Sequence, residues 1–367
     1  MSEKKKILIL EDSKQSVFGG GQYITKCVMD ALCNNVVLFD TASASLFPVK
    51  PLKILRRPNA AFGEKQAMNL NLLLSIKLIF SLFVSNIIIL LHVFFNRSQY
   101  SHIYAPTKFG LLTSFLSRVI LRIPVIFHAH NVFDNDRNSS IFFLFMKIIA
   151  TITIPVSNAV SASLPEKIRQ VIIYNPIGKN YQPSDVLRGT KVFAVVANFM
   201  PYKGHEFLLN ELRHCKEFNG GDLELRFYGD GPLSDELREI AKSINLAVKF
   251  MGFCESMEQE YPEIDCLLIP SLRPEAFSLV IGEAWLNNIF VIATNLGAHT
   301  ELIEHERNGL LFEPSKRGDL CEKIQFFRKL NDQDKEIILK KANEQADTLS
   351  ITRFEIEIRK IFWSENL

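Results

Sequence analysis

Between Cys266 and Asn288 the chain reads CLLIPSLRPEAFSLVIGEAWLNN, and few folds accommodate that order of apolar run, proline-bounded turn and second apolar run. Cys266 to Ile269 reads as the end of a buried strand and Pro270 to Pro274 as a turn. A helix is expected from about Ser278, a good N-cap residue placed just before apolar positions that face a core. A strand delivering its chain straight into a helix is the unit of a parallel α/β sheet. The backbone N–H groups of Phe277, Ser278, Leu279 and Val280 are then expected at the sheet's C-terminal edge, beside the positive end of a helix, where an anion such as a diphosphate binds. Glu275 falls in the turn and Glu283 more than one helical turn later, so a carboxylate flanks each side of that anion. A nucleotide sugar, with sugars on both sides of its diphosphate, matches the arrangement.

The chain has 367 residues, more than one ordinary core needs, which predicts two domains. The formal charge of +2 hides two halves of opposite sign: residues 1 to 180 hold 20 basic and 9 acidic residues, the remainder 22 and 31. A basic first half calls for an anionic partner. The aromatic–basic interleaving of a single-strand binder and a basic recognition helix are both missing, so nucleic acid is not expected and a membrane surface is. Cys27, Cys33, Cys215, Cys254, Cys266 and Cys321 are scattered without any Cys-x-x-Cys, which predicts a reducing compartment and no zinc site. The opening MSEKKKILILED does not read as a signal peptide, and a cytoplasmic protein is expected.

Lys6 to Leu10 reads as a strand, followed by a loop holding Gly19, Gly20 and Gly21 and a helix from about Gln22 to Leu32. That is the opening of a doubly wound domain, without Gly-x-Gly-x-x-Gly or a P-loop lysine. Gly20 and Gly21 are expected to let a donor's phosphate or sugar approach the backbone closely. Basic residues Lys50, Lys53, Arg56, Arg57 and Lys65 precede an apolar stretch over residues 70–95, read as a helix packed on the sheet or lying in the bilayer surface, with a true span the minor alternative. A strand over Pro124 to Phe127 ends at His128 and His130, two residues apart and so on one side of it. No third ligand at metal spacing accompanies them, and no metal or cofactor is expected. In the second half, Val192 to Ala197 reads as a strand, and Lys203 and Gly204 as the start of a helix, which suits the lysine to a phosphate. Leu223 to Tyr228 reads as a strand ending at Gly229, and Val248 to Gly252 as the next.

Glu275 to Glu283, EAFSLVIGE, resembles the signature of the retaining glycosyltransferases of family 4: two glutamates with seven residues between them and an aromatic two positions after the first. The segments VSNAV from Val156, IIYNPIG from Ile172, and NLGAHTELI from Asn295, with Gly297 and Glu301, resemble the family too. The resemblance implies an α/β protein of the GT-B type, two doubly wound, Rossmann-like domains facing a central cleft. Residues 1–178 would take the acceptor, 179–350 the nucleotide sugar, and 351–367 would form a helix returning to the first domain. It implies that His130 faces the donor sugar, Lys203 holds the diphosphate, Glu275 contacts the donor sugar and Glu283 its ribose, with Phe253 and the backbone before it against the base. Gly229 joins that donor set. Asn198 stands where the family usually carries arginine, which leaves one expected cation missing. The implied activity is metal-independent, retaining transfer of a hexose or N-acetylhexosamine, in the first instance from a UDP-sugar, to a lipid-linked saccharide. The cytoplasmic face of the membrane and bacterial O-antigen, capsule or exopolysaccharide assembly are the implied setting. Two other readings stay open: a non-catalytic GT-B subunit partnering another transferase, and a two-domain periplasmic sugar-binding protein, which would need an export signal.

Overall fold

A computed structural model describes residues 5–11, 20–33, 35–40, 47, 52, 72–134, 136–178, 190–219, 223–244 and 246–363. They form two compact units, residues 1–175 with 352–367, and residues 176–351. The basic segment with Arg56 and Arg57, the linker expected from Lys179, and Gly19 lie outside the described residues.

The first unit contains β1 (Lys6–Glu11), α1 (Gly20–Ala31), β2 (Val36–Asp40), α2 (Leu72–Phe95), β3 (Tyr100–Ala105), α3 (Leu111–Val119), β4 (Val125–Ala129), α4 (Arg137–Ile149), β5 (Ala150–Pro155) and α5 (Asn158–Ser163). The strands are parallel, in the order β2-β1-β3-β4-β5. Runs such as Ile7 to Leu10 are wholly buried, as strands covered on both faces must be. Right-handed crossovers send α1 to one face of this sheet and α2, α3 and α4 to the other, because the order reverses between β1 and β3. α2 buries Ser85, Asn86, Ile89 and Val93 against the sheet side. Asn86 donates to the carbonyls of Leu82 and Phe109 and accepts from the amide and hydroxyl of Thr113, which ties α2 to α3. Among the described residues no helix is long and apolar enough to cross a membrane.

The second unit contains β6 (Val192–Val196), α6 (His205–Leu212), α7 (Lys216–Asn219), β7 (Glu224–Tyr228), α8 (Ser234–Ser243), β8 (Val248–Gly252), β9 (Cys266–Ile269), α9 (Leu279–Leu286), β10 (Phe290–Thr294), α10 (His299–Leu302), β11 (Leu310–Phe312), α11 (Asp319–Lys329) and α12 (Asp332–Asp347). Its parallel sheet runs β11-β10-β9-β6-β7-β8. The chain winds outward from β6 to β8, then crosses back to β9, so β6 and β9 are neighbours, with Phe193 opposite Cys266. Phe193, Phe199, Leu208, Leu209, Phe227 and Phe327 build the core around it. α13 (Ile351–Trp363) belongs to the first unit from Thr352 on, where Phe362 meets the rings of His102 and Tyr104 and Arg359 donates to the carbonyl of Ala31.

Two expectations are corrected. Gly20 and Gly21 are not in a loop: they occupy the first turn of α1, because the helix begins two residues earlier than the apolar pattern marks. Cys215 and Cys321, 106 residues apart, are joined as a disulfide between the segment after α6 and the start of α11. Their scatter in the sequence therefore gives no argument for a reducing compartment; Cys27, Cys33, Cys254 and Cys266 are free.

Candidate active site

The carboxyl ends of β6 and β9 lie side by side where the second sheet reverses its winding, the place where open α/β sheets bind ligands. The segment after β6 forms a single 3-10 turn, Pro201–Lys203, and is followed by Gly204 at φ 74°. Lys203 thus precedes the helix instead of opening it: Gly204 breaks the chain direction and α6 starts at His205. The segment after β9 turns back at Pro270, and the amide of Leu272 donates to the carbonyl of Tyr202 at 2.8 Å. The two turns lie so close that a Cβ on Gly204 would stand 1.9 Å from the carbonyl oxygen of Pro270.

This contact brings together residues 72 positions apart. Lys203 Nζ donates to Glu275 Oε1 at 2.8 Å, and the hydroxyl of Ser271 donates to the same oxygen. Burial alone would raise the Glu275 carboxyl; the charge of Lys203, the nearby His299 ring and the hydrogen bonds from Lys203 and Ser271 outweigh it and hold the group below its ordinary range. From β10, the loop before α10 closes on the backbone of the same residue. Ala298 donates its amide to the carbonyl of Glu275 at 3.0 Å. Gly297, at φ 56°, comes so near that a Cβ there would lie 2.7 Å from the amide nitrogen of Glu275. His299 is fully buried, with Nε2 3.9 Å from Glu275 Oε1 and Nδ1 3.1 Å from the carbonyl of Thr294.

Ser278 is the N-cap residue of α9, as expected, but its side chain makes no capping bond. Leu279 and Val280 form the first helical turn, where amides have no intrahelical acceptor. Glu283 follows on α9. Its carboxylate accepts from the hydroxyl of Tyr261 at 2.6 Å, and burial raises it above the ordinary carboxylate range against that bond. Asn198, Gly229 and Phe253 meet around one pocket of about 110 Å³, with Tyr228 in its wall. Phe253 is 57% exposed. Gly229, at φ 143°, admits no side chain, since a Cβ would lie 2.1 Å from the carbonyl oxygen of Ala197.

His130 stands at the end of β4 in the first unit. Its ring lies 4.2 Å from that of His128, whose Nδ1 is hydrogen-bonded with the hydroxyl of Tyr104 at 2.6 Å. His130 Nε2 is enclosed and has no hydrogen-bond partner, and burial pushes the imidazole down to about 4. It is therefore a neutral, uncommitted donor or acceptor at neutral pH. Among the described residues no group of three or more His, Cys, Asp or Glu could hold a metal ion.

Fold and site together define a GT-B protein, two parallel-sheet α/β units of Rossmann type, matching solved glycosyltransferases of that architecture. Residues 190–328 match the family model of group 1 glycosyl transferases, and this segment contains Lys203, Glu275, Glu283 and His299. An exopolysaccharide phosphotransferase of Streptomyces coelicolor is 28% identical over 200 residues, which are 54% of this chain and 20% of that one. The EpsF protein of Bacillus subtilis is 33% identical over 118 residues, 30% of each chain. The chain thus spans a third or less of the length of these curated relatives. Among solved structures, Anabaena HepE in complex with UDP superposes with a TM-score of 0.78 at 20% identity, covering 97% of this chain and 99% of that one.

Proposed function

We propose that the chain is a retaining glycosyltransferase of family 4 that transfers a hexose or N-acetylhexosamine from a nucleoside-diphosphate sugar, a UDP-sugar in the first instance. The observation that carries this reading is the Lys203–Glu275 pair at the winding reversal of the second sheet, within the segment that matches the group 1 model. In this proposal the pocket of Asn198, Gly229 and Phe253 takes the base, Glu283 the ribose, and Lys203 with the first amides of α9 the diphosphate. Charge that grows on the departing diphosphate is stabilised by groups already in place, which lowers the barrier more than it tightens ground-state binding. Lysine and helix terminus supply the positive charge that a metal supplies in other transferases. Glu275 reads hydroxyls of the sugar, and His130 of the acceptor-binding unit contacts the transferred group. Gly20 and Gly21, exposed in the first turn of α1, complete the set. Lys203→Ala is expected to weaken UDP binding by about tenfold to a hundredfold, the worth of one charge-assisted contact to phosphate. Isothermal calorimetry measures it, and an unchanged affinity would remove Lys203 from the site.

The acceptor we propose is a lipid-linked saccharide of O-antigen, capsule or exopolysaccharide assembly, met at the cytoplasmic membrane surface. Support comes from the outer side of α2, α3 and α4. Phe80, Phe83, Leu91, Phe94 and Phe95 of α2, Ile120 after α3, and Leu144 and Ile148 of α4 are exposed, Phe95 at 78%. Lys77, Arg97, Arg118, Arg122 and Lys147 share these segments, and from Lys65 to Phe133 the sequence has no acidic residue. Exposed apolar groups on segments whose charged residues are mainly cationic fit an anionic bilayer surface. The triple change Leu91→Ser, Phe94→Ser, Phe95→Ser is expected to move the protein from the pellet to the supernatant in sedimentation with phosphatidylglycerol vesicles. Equal sedimentation of the two proteins would exclude this surface.

A further inference from the structure

The Lys203–Glu275 pair poses an electrostatic difficulty for the proposed reaction, on which the inference here rests. The Lys203 ammonium, with three N–H donors, can touch both anions, but a diphosphate that draws it away takes the counter-charge of Glu275 with it. The Glu275 side chain is only 11% exposed, and an uncompensated carboxylate at such a position is costly. Ser271 stays beside it, but a hydroxyl carries no charge. One group is placed to restore the balance. Nδ1 of His299 lies 3.1 Å from the carbonyl oxygen of Thr294 and 3.2 Å from its hydroxyl; the carbonyl can only accept, so Nδ1 carries its proton and the hydroxyl, which can do either, accepts or turns aside. This leaves Nε2 as the open position, buried without a hydrogen-bond partner and 3.9 Å from Glu275 Oε1.

We propose that His299 is a positioning residue that takes up one proton at Nε2 when an anionic diphosphate draws Lys203 away from Glu275, and returns it when the product leaves. The balance is simple: Lys203 keeps its proton throughout, one proton passes from solvent to Nε2, and the new imidazolium replaces the ammonium as partner of Glu275. Two charged groups face His299 from the elements packed on it, Glu275 from the turn after β9 and Lys203 from the turn after β6. Glu301 follows two residues later on its own helix. In the ligand-free protein burial holds the imidazole below its ordinary range, aided by the nearby Lys203 charge and opposed by Glu275 and the Thr294 carbonyl. Departure of Lys203 removes one of the lowering influences and leaves the raising ones, so the direction is proton uptake. The exchange keeps Glu275 ionised and oriented toward the sugar at the moment its former partner is engaged elsewhere.

The test is calorimetric titration with UDP at pH 8, where the free nucleotide's terminal phosphate, with its pKa of about 6, is fully ionised. Titrations run in phosphate and in Tris, buffers with different ionisation enthalpies. The expected result is an apparent enthalpy that differs between the buffers by an uptake approaching one proton per UDP. His299→Gln is expected to bind UDP with that buffer dependence abolished. Lys203→Ala, in which His299 already partners Glu275 before ligand arrives, is expected to lack it too. UDP binding by the unaltered protein with no proton uptake, or uptake that persists in His299→Gln, would overturn the proposal and leave the donor site standing. Failure to bind UDP or any other nucleoside diphosphate would overturn the donor site itself.

Discussion

Glu275→Gln is expected to lower turnover by about a hundredfold to a thousandfold while leaving the thermal unfolding midpoint close to that of the unaltered protein. The substitution keeps the shape of the side chain and removes its charge. In the structure that charge is held ionised against burial chiefly by Lys203, and the proposed mechanism uses it against hydroxyls of the sugar as positive character develops there. Losing one preorganised electrostatic contact of this kind costs about 2.7–4 kcal/mol in the barrier. The folded state loses far less, because Lys203 is 24% exposed and its ammonium can turn to water. Steady-state assays of nucleotide release, with melting curves beside them, separate the two effects. Full turnover in the variant would remove Glu275 from the chemistry.

Gly204→Ala is expected to cost about 2–4 kcal/mol of stability, combining a left-handed backbone position with an enforced overlap. The residue sits at φ 74°, and the new methyl would meet the Pro270 carbonyl oxygen at 1.9 Å. Backbone cannot move aside as a flexible side chain can, so the turns after β6 and β9 must separate. That displaces Lys203 from Glu275 and breaks the Leu272 to Tyr202 hydrogen bond. A fall in melting temperature of about 5–10 °C and a loss of UDP affinity larger than that of Lys203→Ala should appear together. An unchanged melting temperature would mean that the two turns are not in contact.

What could be read in the sequence was local. Strand, turn and helix from Cys266 to Leu286 follow one another within a few residues, so their pattern is visible in a short window. The doubly wound architecture follows from repeating that pattern. The meeting of Lys203 with Glu275 is of another kind: 72 residues separate them, and only the crossing from β8 back to β9 makes them neighbours. Ser271, Tyr261 and His299 were not anticipated as members of the site. Each is a polar side chain buried by tertiary packing, and burial of that sort leaves no periodic trace. His299 lies inside NLGAHTELI, singled out for Gly297 and Glu301, so the segment was visible while its buried imidazole was not. The start of α1 and the Cys215–Cys321 pair escape a reading of the sequence for related reasons. Glycine at a helix start looks like a loop, and a link across 106 residues has no local signature.

The central claim is that these residues transfer a sugar. Its most direct measurement uses purified protein, a panel of radiolabelled nucleotide sugars and membranes from a polysaccharide-producing bacterium, following release of the nucleoside diphosphate and label in the lipid fraction. The account predicts that one donor, most readily a UDP-sugar, is consumed with label entering the lipid, and that Glu275→Gln abolishes both. Binding of nucleotide sugars with neither transfer nor hydrolysis of any of them, under conditions where another transferase is active, would contradict it.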